Sequence, residues 1–255
     1  GRQSVIEALK SGRPINRILL AQNIGRHTTV GEILRLSQAE GIPVEYVAGH
    51  VIDKLATTAA HQGVLAYAAV KEYVALEDLL AISREREEPP LYCILDGIED
   101  PQNLGAIIRT AEASGIHGVV IRSRRAVGLT AAVAKASAGA VEYVAVARVA
   151  NISQAMLTLR KSDVWIVGLD PTGKIDYGRV DFRLPTAIVI GNEGKGLSDL
   201  VQKRCDSLVS IPMRGKTSSL NASVAAALVM YEAFRQRSSI HLNRTEPPAQ
   251  DPPLH

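Results

Sequence analysis

From Leu91 onward the chain alternates short apolar runs with longer amphipathic stretches, and this rhythm restricts the fold more than any other feature. Leu91–Leu95, Gly118–Ile121, Val164–Gly168, Ala187–Ile190 and Ser207–Ile211 have the length of strands. Several lack the in–out alternation of a half-exposed strand, as expected of parallel strands buried on both faces. Leu104–Ser114, Thr130–Ala136, Ser153–Lys161 and Ala222–Arg235 read as the covering helices. The expected class is therefore α/β, with a mainly parallel C-terminal sheet.

Residues 1–75 repeat the pattern on a smaller scale. Val5–Leu9 and Val30–Glu40 read as helices, and Ile18–Ala21, Pro43–Val47 and Gly63–Val70 as strands. A separate small α/β domain is expected there. Residues 76–90 pass from a short helix through Arg84-Glu85-Arg86-Glu87-Glu88 to Pro89-Pro90, which reads as a linker. The larger domain then spans 91–238, and residues 239–255, rich in proline from Thr245 to Pro253, read as a flexible tail.

Open parallel sheets bind ligands outside the carboxyl ends of their strands. Three loops here follow predicted strands and carry unusual residues. The first leads from Asp96 to Asn103 and enters a helix whose Leu104, Ile107, Ile108, Ala111 and Gly115 share one stripe. Arg109 projects from the opposite side, with Gly105 one turn earlier leaving space beside it. A purely structural account would have Asn103 cap this helix and Arg109 pair with Glu112. The second loop, Gly191-Asn192-Glu193-Gly194-Lys195-Gly196-Leu197-Ser198, has three glycines around a Glu and a Lys. It lacks the Lys-Ser/Thr ending of a phosphate loop, yet has more glycine than a plain turn needs. The third, Ile211 to Asn221, brings Ser218, Ser219 and Asn221 to a helix entrance, more polar groups than capping requires. That helix is rich in small residues from Ala222 to Ala227, which permits close packing on another element or subunit.

Several chemistries are disfavoured. No Gly-x-Gly-x-x-Gly follows an early strand, which argues against a nicotinamide dehydrogenase and an ordinary Rossmann-type methyltransferase. No Ser/His/Asp arrangement or His-x-x-x-His spacing is apparent, and His61 and His117 read as structural or surface residues. Cys93 and Cys205 are far apart and unpaired in pattern, so no disulfide scaffold or zinc site is expected, and the cytoplasm is the simplest location. No apolar run nears the roughly 20 residues of a membrane helix. The chain opens Gly1-Arg2-Gln3-Ser4, not a secretory leader, and without an initiator Met a few residues are expected to precede it. Net charge +3 is compatible with an RNA partner. With aromatics at only 4%, phosphate contacts must outweigh base stacking.

At the three loops the sequence resembles the SpoU family, also called the TrmH family, of RNA ribose methyltransferases in the SPOUT superfamily. Asn103-Leu104-Gly105 with Arg109-Thr110-Ala111 resembles its first motif, Ile190 to Ser198 its second, and Ile211-Pro212-Met213 through Ser219-Leu220-Asn221-Ala222 its third. Residues from Gly1 to Val64 are similar to the RNA-binding domain attached to many members. The subgroup it most resembles methylates a guanosine ribose in 23S ribosomal RNA. The resemblance implies a trefoil knot, which chains generally avoid, together with S-adenosylmethionine as cofactor, a homodimer and no metal. It implies that Leu169, Gly191, Ile211 and Leu220 hold the cofactor. It also implies catalytic roles for Asn103, Arg109, Glu193, Ser219 and Asn221. A guanidinium almost never deprotonates, so Arg109 is expected to hold the RNA and stabilise the developing alkoxide rather than act as base. The competing readings are a transfer-RNA ribose methyltransferase and an RNA-binding or ribosome-assembly protein without catalysis.

Overall fold

The computed structural model describes residues 1–25, 27–56, 60–68, 71–217 and 219–245, with side chains as far as 238. In chain order its elements are α1 (Arg2–Lys10), β1 (Ile15–Ala21), α2 (Thr28–Ala39), β2 (Val44–Val47), α3 (Gly49–Leu55), β3 (Val64–Ala68) and α4 (Leu76–Glu85). There follow β4 (Leu91–Asp96), α5 (Pro101–Ala113), β5 (Gly118–Arg122), α6 (Ala131–Ala136), β6 (Val146–Val149) and α7 (Ile152–Arg160). The chain continues with β7 (Trp165–Leu169), β8 (Ile175–Asp176), β9 (Thr186–Gly191), α8 (Asp199–Arg204), β10 (Ser207–Ser210) and α9 (Ala222–Thr245).

The first three strands form a small sheet in the order β2-β1-β3, β1 being parallel to β2 and antiparallel to β3. Ile18 and Leu20 face Val5, Leu9 and Ile33 of α1 and α2, while Leu19 and Ala21 meet Ile52 of α3. Helices on both faces explain why Ile18 to Ala21 is apolar without alternation.

The second sheet has seven parallel strands in the order β6-β5-β4-β9-β7-β10-β8. Side chains alternate across β4. Leu91, Cys93 and Leu95 join α5, α6 and α9 on one face, whereas Tyr92 and Ile94 join α4, α7 and α8 on the other. Every residue of β4 is buried, the pattern read from its sequence. The order reverses at β4, which has β5 on one side and the late strand β9 on the other. That reversal is where open α/β sheets form ligand crevices, and α5 starts there.

Several expectations change. β6, β8, α3 and α8 were not anticipated; β6 and β8 are short edge-proximal strands, and α8 carries Asp199, Gln202, Lys203 and Arg204 in six residues. The segment read as a linker carries α4, whose Leu76 and Leu79 are buried against the large sheet. The cause is visible at Gly118, where a Cβ would lie 2.4 Å from Leu79, so the glycine admits the helix. The expected tail boundary falls inside α9, which runs to Thr245; residues 246–255, Ala69, Val70 and Ser218 lie outside the described residues.

On α5, Gly115 does not share the buried stripe. It follows the helix at φ +73° and is exposed, and Ile116 takes the inward position by donating its N–H to the Ala111 carbonyl at 2.9 Å. Gly105 also serves another purpose than the one expected. A Cβ there would sit 2.3 Å from the Ala136 Cβ, so Gly105 lets α5 and α6 touch and makes no room for Arg109.

Candidate active site

The site is assembled by how the loops after β4 and β9 are tied together. Asp96, buried at the end of β4, accepts hydrogen bonds from the Ser198 N–H and hydroxyl at 2.8 and 2.6 Å. Its other oxygen pairs with Arg122 at 2.7 Å. Asn192 donates from Nδ2 to the Gly97 carbonyl at 2.8 Å. Asp96 and Ser198 stand inside the first and second loops, yet nothing in their sequence spacing marked them as partners. A separation of 102 residues is closed by the β4–β9 pairing alone.

The glycine-rich loop folds back on itself. Asn192 and Gly196 exchange backbone hydrogen bonds at 3.0 and 2.8 Å, with Gly196 at φ +65°. A Cβ on Gly191 would meet the Gly196 carbonyl carbon at 2.3 Å. Two of the three glycines are thus required by the turn itself, and Glu193 is presented at its tip.

Glu193 Oε1 accepts from Asn103 Nδ2 at 2.9 Å, from the Ala222 N–H at 3.3 Å, and from Asn221 Nδ2. Asn221 Nδ2 also donates to Asn103 Oδ1 at 3.0 Å. One carboxylate therefore joins the first turn of α5, the loop after β9 and the entrance of α9. A carboxylate at the start of α9 also complements that helix's positive end.

The capping expectations resolve differently at the two helices. Asp100, not Asn103, caps α5, accepting from Gln102 and Asn103 N–H groups, with Pro101 in the first helical position. This frees the buried Asn103 side chain to reach Glu193. Asn221 does cap α9, its Oδ1 accepting from the Ser223 and Val224 N–H groups at 2.9 and 3.3 Å. It serves the cluster with its Nδ2 at the same time. Ser219 is exposed and stands outside this hydrogen-bonded group, and Ser218 is not among the described residues.

Arg109 lies six residues beyond Asn103 on α5, roughly 9 Å along the axis. It is exposed and, among the described residues, has no ion pair, so the Glu112 pairing is not formed. Nearby, Ala106 and Thr110 of α5 and Val224, Ala227, Leu228 and Tyr231 of α9 line an open groove of about 440 Å³.

Leu169 and Gly191 end the neighbouring strands β7 and β9, and Ile211 directly follows β10, which is next in the sheet. Leu169 is paired with Ile190, and also with Val209 two residues before Ile211. Leu220 is half-buried just before α9. Leu169, Gly191 and Ile211 thus lie at the carboxyl edge of three adjoining strands, and Leu220 precedes Asn221, which is bonded to Glu193. A cavity of about 520 Å³ between α1 and α6, lined in part by Arg13, Lys135 and Glu142, contains none of them.

Among the described residues, no group of three or more His, Cys, Asp and Glu is placed to hold a metal ion. Neither thiol is poised as a nucleophile: burial raises both, Cys205 to about 12. His117 is buried, and its Nδ1 accepts from the Leu91 N–H at 3.1 Å, a structural position.

Residues 90–231 match the SpoU rRNA Methylase family, and residues 1–74 match the family described as RNA 2'-O ribose methyltransferase substrate binding. YacO of Bacillus subtilis (strain 168), named for the TrmH family of tRNA/rRNA methyltransferases, is 45% identical over 240 residues, which is 94% of this chain and 96% of that protein. A similarly named protein of Staphylococcus saprophyticus is 46% identical over 240 residues, with the same shares. Among solved structures, the SpoU methyltransferase AviRb from Streptomyces viridochromogenes in complex with AdoMet superposes with a TM-score of 0.78 at 29% identity, covering 94% of this chain and 89% of that one. The AdoMet-bound rRNA methyltransferase from Sinorhizobium meliloti gives 0.75 at 27% identity, covering 92% and 85%.

Proposed function

The chain belongs to the SpoU RNA methylase family, and on that premise we propose that it moves a methyl group from S-adenosylmethionine to a ribose 2′-hydroxyl of RNA, at a guanosine of 23S ribosomal RNA. The observation that carries this reading is the hydrogen-bonded group Asn103–Glu193–Asn221, in which one member of each family motif meets the other two.

The residues at the strand ends suit the cofactor. Leu169, Ile211 and Leu220 are half-buried and uncharged, and Gly191 is half-buried beside them at the end of β9. An adenosine would be held there by van der Waals contact and main-chain groups, as in most nucleoside pockets. When bound, S-adenosylmethionine supplies an electrophilic methyl on a cationic sulfonium. The protein's own task is then to present the ribose oxygen in line and to bear the charge it acquires. Arg109, exposed and unpaired among the described residues, holds that oxygen or its neighbouring phosphate through its N–H fork and stabilises the developing alkoxide. Asn103 and Asn221, fixed by Glu193, orient substrate and cofactor, and the exposed Ser219 adds a hydroxyl at the same entrance.

We place residues 1–75 in RNA binding, supported by the match over residues 1–74. The trefoil knot expected of the family suits a chain in which β9 is inserted between β4 and β7 and Asn221, eleven residues after β10, is bonded to Glu193. A homodimer is supported by the outer face of α9. Val224, Leu228, Tyr231 and Phe234 are exposed there, opposite the buried Ala226, Val229, Met230 and Ala233. A second copy covering that face would set Arg109 beside the subunit boundary. No helix among the described residues is long and apolar enough to cross a membrane, and we place the protein in the cytoplasm with its RNA.

A map of ribose methylation in cells with and without the protein tests the target. The expected result is the loss of one methyl at a guanosine of 23S ribosomal RNA. Loss confined to transfer RNA would move the substrate to that class, and an unchanged map would contradict the proposal.

A further inference from the structure

Between Glu112 and Glu142 the sequence has no Asp or Glu, but it has Arg122, Arg124, Arg125 and Lys135. Arg122 is committed to Asp96. Arg124 and Arg125 are exposed and form no ion pair among the described residues. They sit in the loop after β5, beside the strand whose end starts the candidate active site.

This loop is braced on three sides. Arg148, on the adjacent strand β6, donates to the Ser123 carbonyl at 2.9 Å. The Val127 N–H donates to the carbonyl of Ile98, in the segment leading to Asn103, at 3.0 Å. The Leu129 N–H donates at 2.8 Å to the hydroxyl of Tyr73, which lies between β3 and α4 where the two sheets are joined. The Arg148 guanidinium in turn lies 5.1 Å from the Tyr73 ring centroid. Gly128 belongs to the same contact, since a Cβ there would stand 2.8 Å from the Tyr73 hydroxyl. Arg125 itself holds φ +53°, a conformation that L side chains adopt at a cost and that persists when its surroundings fix it.

The main chain that carries two uncompensated cations is thus braced between Tyr73, where the two sheets are joined, and the segment leading to Asn103. Arginines free of ion pairs on a braced loop suit phosphate, because the charge is available and the main chain that presents it is prepared in advance. We propose that the 123–130 loop is a backbone clamp: Arg124 and Arg125 grip RNA phosphates between the part bound by residues 1–75 and the nucleotide to be methylated. The proposal rests on the RNA-methyltransferase reading and adds to it a route for the strand across the protein.

The test measures affinity of the full-length protein for 23S ribosomal RNA fragments over a salt series, then turnover, for the wild type and for Arg124→Ala/Arg125→Ala. Each phosphate contact contributes about 0.7 to the slope of log affinity against log salt for a single strand. The double variant should therefore lose about 1.4 of slope and bind about tenfold or more weakly, raising KM for RNA. Its kcat at saturating RNA and its affinity for S-adenosylmethionine should stay near wild type. Arg124→Lys/Arg125→Lys should recover most of the binding, which a purely structural role would not predict. Should the alanine variant melt early, Arg124→Gln/Arg125→Gln removes the charge with less loss of packing, and the same slope is expected of it. A wild type that methylates RNA alongside a folded double variant of unchanged slope overturns the clamp and leaves the methyltransferase reading standing. A wild type that binds no RNA overturns both.

Discussion

Arg109→Ala should lower methyl transfer about 10²- to 10³-fold, the usual effect of removing one donor aimed at developing negative charge, while leaving affinity for S-adenosylmethionine nearly unchanged. The separation follows from where the residue stands. Leu104, Ile107, Ile108 and Ala111 carry the packing of α5, and Arg109 is exposed on the other side without an ion pair among the described residues. Its removal opens no cavity and strands no buried partner, so the variant should melt close to the wild type. Arg109→Lys keeps the charge but not the planar fork, and should recover only part of the rate. Turnover of the purified alanine variant near that of the wild type would remove Arg109 from the catalytic assignment.

Glu193→Ala should behave differently, losing activity, cofactor affinity and stability together. The carboxylate accepts from Asn103, Asn221 and the Ala222 N–H. Without it the buried Asn103 amide has an unsatisfied donor, which costs about 1–3 kcal/mol. The loop that begins at Gly191 also loses its tie to α5 and α9, so the cofactor site proposed at the strand ends should loosen. We expect a fall of about 10²-fold or more in kcat/KM, weaker S-adenosylmethionine binding by calorimetry, and a lower Tm. Glu193→Gln keeps one acceptor oxygen and should lie between. A variant with wild-type cofactor affinity and lowered turnover alone would mean that Glu193 does not organise the pocket.

These two residues also show what the sequence discloses and what it withholds. Parallel strands were legible because burial on both faces leaves an unbroken apolar run such as Leu91–Leu95. β6 and β8 were not, since an edge position lets Arg148 or Asp176 interrupt the run. The three polar loops were legible as unusual, but not the bonds among them. Asn103 and Asn221 are 118 residues apart, and only the insertion of β9 next to β4 brings Glu193 between them. Gly105 illustrates the converse error. A glycine one turn from an arginine looks like room for that arginine, whereas its real neighbour, Ala136, belongs to a helix 31 residues later. How residues 76–90 are attached was not legible for a related reason. The charged, proline-ended stretch does lie on the surface, but Leu76 and Leu79 before it are what fix α4 to the sheet.

Methylation of a ribose oxygen is distinguished from methylation of a base by the stability of the product to alkali. Alkaline cleavage of RNA requires the 2′-hydroxyl to attack the adjacent phosphate, so a methyl group on that oxygen blocks the cut after its nucleotide. Unmodified 23S ribosomal RNA is incubated with the protein and S-adenosylmethionine labelled in the methyl group, then hydrolysed completely in alkali. Label is expected in an uncleaved dinucleotide whose first member is guanosine. Label recovered in mononucleotides would place the methyl group on a base and contradict ribose methylation.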